Sequence, residues 1–275
     1  MDTQLKPKTP VQEPAQQPPE SPPGEEYVSV EEYAMSFLDH LAELRDRLIR
    51  GALGLAATTL LSMLFANVIL RYLLTPIGDD QFLLQTLGPT EGVVIYFRVA
   101  LLAGAILAIP WMTYQVWMFI APGLTGKERR WVLTSIPATT FLFLIGVAFA
   151  WFILMPAALN FLQNFQSDIF RAEWTADQYV AFVTALLFWI GVSFEMPLIF
   201  FILARIGLVG PAALRHNWRL AVVGAAVAAA MITPTIDPFN MMLVMGPLLA
   251  LYLLSIILST IAYRRSGLAD QSTTS

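Results

Sequence analysis

Residues 179–204 read Tyr-Val-Ala-Phe-Val-Thr-Ala-Leu-Leu-Phe-Trp-Ile-Gly-Val-Ser-Phe-Glu-Met-Pro-Leu-Ile-Phe-Phe-Ile-Leu-Ala, 26 residues with one charge, Glu195. A helix rises about 1.5 Å per residue, so about 20 residues cross the ~30 Å hydrocarbon layer of a bilayer. This run is long enough, and it is not alone. Comparable stretches occur before and after it, and with their flanking turns the expected spans are about 48–70, 92–119, 132–154, 179–204, 218–232 and 239–262. Arg98 interrupts the second of these. The fifth holds a charge-free core of only 13 residues, Leu220–Ile232, too short to cross unaided.

The composition agrees. The 275 residues are 57% hydrophobic and 13% charged, about half the soluble norm of roughly 25%. Such a chain cannot cover a water-facing surface with polar groups, which excludes an ordinary soluble globule. The formal net charge of −4 arises in the first 32 residues, where seven acids face two lysines. The remainder is close to neutral, and nothing in it suggests nucleic-acid binding. The chain has no cysteine and two histidines, His40 and His216, so thiolate chemistry is excluded and an imidazole metal site is not expected.

Residues 1–28 are proline-rich and acidic, the composition of a disordered arm, and 266–275 form a short polar tail. No apolar core of a signal peptide lies in the first 30 residues. Between the arms, residues 29–265 form one six-span domain. With six crossings, eleven basic residues fall on one side: Arg45, Arg47, Arg50, Lys127, Arg129, Arg130, Arg205, Arg215, Arg219, Arg264 and Arg265. The positive-inside rule puts that side, and both termini, in the cytoplasm. Pro110, Pro137, Pro197 and Pro247 lie inside spans, where each removes a backbone hydrogen bond and bends its helix. The expected fold is therefore all-α, with six kinked transmembrane helices forming a concave, cup-like wall.

Several polar residues need an account. Ser29 and Glu32 have capping-box spacing, which starts a helix ahead of the first span. Along it Glu43 is spaced for an i,i+4 pair with Arg47, and Arg45 projects into the apolar face, where it would snorkel to lipid phosphates. Glu128 is the only acid of the loop 121–130, and Thr125-x-x-Glu128 is itself a capping box. A cap leaves carboxylate lone pairs free. Glu43 and Glu128 together would grip a ligand carrying two guanidinium groups. Glu195, in mid-span, is expensive in hydrocarbon and faces a cavity or a partner, with Arg98 one such partner. It is either a structural ion pair, a protonated hydrogen-bonded group, or a functional polar site. Asp237 before Pro238 is an N-cap with proline at the first helical position. Gly123-Leu-Thr-Gly-Lys127 lacks phosphate-loop spacing and Gly191-x-Ser193-x-Glu195 is not a nucleophile elbow, so neither a nucleotide cofactor nor an enzyme is expected.

Four ordered motifs carry a resemblance: His40-Leu-Ala-Glu-Leu-Arg45, Tyr114-Gln-Val-Trp-Met-Phe-Ile-Ala-Pro122 with Lys127-Glu-Arg-Arg130, Gly191-Val-Ser-Phe-Glu-Met-Pro197, and Thr233-Pro234 with Asp237. From about Tyr33 to Arg265 the sequence resembles the TatC family, the polytopic receptor subunits of the twin-arginine protein translocase. The resemblance implies that twin-arginine signal peptides of folded cargo dock at the cytoplasmic face on Glu43, Arg45, Phe119 and Glu128. It implies an intramembrane polar site at Glu195, and Pro76 matches a proline of the family's first extracytoplasmic loop, a further candidate position. The implied partners are the single-span subunits TatA and TatB, membrane lipids and further copies of the chain. The location implied is the bacterial inner membrane, and the driving force is the proton gradient. The sequence departs from the family in its long leading arm, an extra residue in 233–241, and Asn240 or Met241 in place of a usual glutamine. A proton-coupled carrier of small solutes, with Glu195 titrating, is the alternative function.

Overall fold

The structure, a computed structural model, describes residues 30–77, 84–120, 126–165, 174–233 and 237–265, without the side chains of 30–38, 126–129, 131–132, 264 and 265. The expected arms and the Thr125 half of the second capping box lie outside these residues. Among them every extended element is helical. The helices are α1 Val30–Met63, α2 Ala66–Leu73, α3 Glu91–Ile120, α4 Gly126–Phe149, α5 Met155–Asn164, α6 Ala176–Arg205, α7 Pro211–His216, α8 Trp218–Ile232 and α9 Pro238–Arg265. A π-helical turn, Ala150–Leu154, joins α4 to α5. Four helical segments are long and apolar enough to cross a membrane, or five if α1 and α2 are one bent span. At 15 residues, α8 extends only about 22 Å.

Helix α6 packs against α3, α4, α8 and α9. Its residues Tyr179, Val180, Phe182, Val183, Leu186, Leu187 and Ile190 are buried on nearly all sides, which explains why its sequence shows little amphipathic alternation. The Thr175 side chain caps its start by accepting from the Gln178 N–H. Its end is a Schellman turn, with Leu208 N–H donating to the Leu203 carbonyl and Gly207 N–H to that of Ala204. Gly207 supplies the φ of 80° that this turn demands. Where α4 meets α6, Gly146 faces Gly191, and a methyl built on Gly146 would lie 2.9 Å from the Gly191 Cα.

Two spans differ from expectation. The first does not run to Leu70. It stops at Met63, and α2 leaves at 79°. Leu64 and Phe65 N–H groups donate three residues back, to Leu61 and Ser62, so the last turn tightens and the chain swings away. Hydropathy measures how apolar a run is and carries no direction. In α2, Ala66 and Leu73 point inward while Val68 and Tyr72, and Phe65 just before the helix, are exposed, an inner face with its own helical period. The third span continues past Leu154 to Asn164. Met155 N–H donates five residues back, to Ala150, and the wider turn lets helix persist beside Pro156, which has no N–H of its own.

Polar caps tie these elements together. The buried Tyr179 hydroxyl donates to the Leu73 carbonyl at the end of α2, 2.7 Å away. Tyr179→Phe leaves that carbonyl without its donor, and is expected to lower stability by about 1–3 kcal/mol. Thermal unfolding in detergent reads this directly, and an unchanged midpoint contradicts it. Gln85 bridges to the start of α6, donating to the Trp174 carbonyl at 3.2 Å and accepting from Ala176 N–H at 2.9 Å.

Candidate functional site

The expected acidic docking site begins on α1. Glu43 is half-buried, and its Oε1 lies 3.3 Å from Arg47 Nη2, the i,i+4 pair that its spacing announces. The same guanidinium donates through Nη1 to Gln115 Oε1 on α3, also at 3.3 Å. Gln115 is itself 4% exposed. One arginine thus spans two helices, between a carboxylate and an amide oxygen. Helical spacing finds the Glu43 pair. It is blind to Gln115, 68 residues further along the chain.

Arg45 is the residue expected to snorkel out of the apolar face. Its guanidinium is exposed and turns to Asp46, with Nε at 3.0 Å and Nη2 at 2.8 Å from Oδ1. Phe119 sits half-buried in the last turn of α3. Glu128 falls at the third residue of α4, as helix-opening spacing requires, and its side chain lies outside the described residues.

Glu195 lies on α6 ten residues before its end, so about 15 Å of helix separates it from Arg205. Its Oε1 is buried without a hydrogen-bond partner among the described residues. Arg98 is not that partner. The Arg98 guanidinium instead meets Asp177, at 2.6 Å to Oδ1 and 3.2 Å to the backbone carbonyl. Asp177 precedes Glu195 by 18 residues, about 27 Å of helix. Position along the helices decides the pairing: Arg98 is the eighth residue of α3 and Asp177 the second of α6, each near the start of its own helix. Asp177 has no signature that sets it apart from any acid in a first helical turn.

Asp177, Ala181, Thr184, Phe188 and Glu195 recur at helical spacing and share one stripe of α6. Part of that stripe, with Leu55, Arg98, Leu102 and Ala105, lines a largely apolar pocket of about 370 Å³. Asp237 caps α9 as expected, its Oδ1 accepting from Asn240 N–H at 2.6 Å. Asn240 is 1% exposed and donates back to Asp237 Oδ2 at 3.0 Å. Pro76 occupies a single 3₁₀ turn, 75–77, after α2. No group of three or more metal-binding side chains occurs among the described residues.

Residues 39–247 match the family model described as Sec-independent protein translocase protein (TatC). The chain is 37% identical to the Sec-independent protein translocase protein TatC of Deinococcus radiodurans over 231 residues, covering 81% of this chain and 85% of that protein. It is 38% identical over 223 residues to the chloroplastic Sec-independent protein translocase protein TATC of Oryza sativa subsp. japonica, covering 81% of this chain. It spans less than two-thirds of the length of the plastid relatives, 62% of the rice protein and 66% of that of Arabidopsis thaliana. A crystal structure of the twin arginine translocase receptor TatC superposes with a TM-score of 0.74 at 34% identity, covering 81% of this chain and 99% of that one. Sequence motifs, helical architecture and superposition converge, and the chain belongs to the TatC family of Sec-independent protein translocase proteins.

Proposed function

We propose that this protein is the receptor subunit of a twin-arginine translocase, docking the paired arginines of signal peptides between Glu43 and Glu128. The observation that carries this reading is the Glu43–Arg47–Gln115 arrangement. A half-buried carboxylate and a buried amide oxygen already hold one guanidinium there. Charge-assisted bonds of this kind favour arginine, whose planar fork engages acceptors that a lysine meets only as a point charge. The chain topology supports the participation of Glu128. Gln115 lies five residues before the end of α3, and α3 leads through residues 121–125 into the first turn of α4. Arg45 and Phe119 flank the same end.

In this proposal the chain crosses the membrane six times, with α1 and α2 as one bent crossing and α8 as a short one, and both termini are cytosolic. The eleven basic residues on that side support the orientation. The membrane is the bacterial inner membrane, and TatA, TatB and further copies of the chain assemble around the receptor. Glu195 serves as a polar contact within the bilayer, and its buried oxygen, without a hydrogen-bond partner among the described residues, supports that role. Transport draws on the proton gradient, and the chain is not an enzyme.

A photo-crosslinker placed beside Glu128 tests the docking site. It is expected to capture a signal peptide with an Arg-Arg pair and to lose it with Lys-Lys, with Glu128→Ala or with Glu43→Ala. Equal capture in all four cases refutes the site.

A further inference from the structure

We infer that Arg47 is an internal competitor for the Glu43 carboxylate, a tethered guanidinium that any cationic ligand must displace. The inference rests on the docking reading above.

The geometry sets this pair apart from a solvated surface one. The Arg47 side chain is 18% exposed and that of Glu43 29%, whereas the adjacent Arg45–Asp46 pair stands at 71% and 49%. Surface pairs gain little because both side chains must be ordered to form them. Arg47 is ordered already, because Gln115, buried in α3, holds its other terminal nitrogen. The pairing with Glu43 therefore forms at reduced entropic cost.

Occupancy has an arithmetic consequence. A ligand that binds only when the carboxylate has released Arg47 shows an affinity reduced by the fraction of molecules in which it is released. That fraction is a property of the protein alone. It weakens every ligand by the same factor and leaves the ratio between an Arg-Arg and a Lys-Lys ligand untouched. Discrimination comes from the fork of the incoming arginine. Arg47 sets how tightly either is held. A receptor that must later let its ligand go gains from such a built-in exchange partner, which refills the carboxylate as the ligand leaves.

The full chain in lipid nanodiscs, titrated with two fluorescent synthetic peptides that differ only in an Arg-Arg or Lys-Lys pair, tests this. Arg47→Gln is expected to bind both peptides about five- to tenfold more tightly, with their affinity ratio unchanged. Arg50→Gln removes the same charge from an exposed position on the same helix and is expected to shift either peptide less than about twofold. Arg47→Lys keeps the charge but cannot place two nitrogens of one plane on Glu43 and Gln115, and is expected to tighten both peptides about two- to threefold. It serves where Arg47→Gln does not fold. Unchanged or weaker binding in the Arg47 variants, or an equal gain from Arg50→Gln, overturns the inference. Glu43→Gln separates the two ideas: if that variant binds both peptides as the parent does, the docking reading itself has failed.

Discussion

Gly104→Leu is expected to remove most of the folded protein from the membrane fraction. Helices α1 and α3 approach so closely at this point that a methyl on Gly104 would sit 2.5 Å from the Thr59 Cα and 2.7 Å from its backbone nitrogen. Ordinary carbon contacts lie near 3.5–4.0 Å, and backbone atoms cannot turn aside as a side-chain tip can. The helices must part, and the loss extends beyond Thr59. Ser62 is buried on α1, and Arg47 reaches α3 further along. Overpacking of this kind costs about 1–3 kcal/mol where a core can adjust, and more where it cannot. Close approach through small residues is also how membrane helices associate without a hydrophobic driving force. Size-exclusion profiles of a fluorescent fusion measure the effect. Gly246→Leu is the control, because nothing lies within 4 Å of a methyl built at that exposed helical position. If Gly104→Leu elutes and melts like its parent, the close contact is not real.

Arg98→Leu is expected to lower the thermal midpoint substantially, and Asp177→Asn in the same chain to recover part of the loss. The pair joins α3 to α6 through a 2.6 Å contact between side chains about one-third exposed, at the edge of an apolar pocket. Exposed pairs contribute about 0–1 kcal/mol, whereas breaking a buried one costs about 3–5 kcal/mol because a charge is stranded. Partial exposure places this pair between those limits, at about 1–3 kcal/mol. Removing the second charge relieves the stranding, which is why the double variant should melt above Arg98→Leu alone. Strict additivity of the two substitutions would show that no coupling exists.

Much of the fold was legible because hydrocarbon imposes a length on any span. Residues 92–119, 179–204, 218–232 and 239–262 fall within three residues of α3, α6, α8 and α9 at each end. Asp237 before Pro238 announced its own cap, since a first-turn proline needs no donor. Pro110, Pro137, Pro197 and Pro247 all lie inside helices, as their surroundings required. What escaped was geometry without a chemical marker. The 79° turn at Leu64–Phe65 contains neither glycine nor proline, and the widened turn before Pro156 lies in uninterrupted apolar sequence. The site followed the same division. Glu43 and Arg47 are neighbours on one helix, so their pairing could be read from spacing. Gln115, though inside the Tyr114–Pro122 motif, and Asp177 are assigned their partners by contacts between helices, which no spacing along one helix announces.

The widened turn at Ala150–Leu154 also bears on how this chain can change in length. An extra residue in an aqueous loop bulges harmlessly into solvent, but in hydrocarbon every peptide group must keep a mate. Here one surplus residue is absorbed with its N–H still bonded, five positions back instead of four. Deleting a single residue at this point would let the segment relax to an ordinary α-helix. Everything downstream to Asn164 would then keep its phase, with Ala158 and Leu159 still facing the protein interior. Among the described residues, this turn is where a one-residue change in span length is already accommodated.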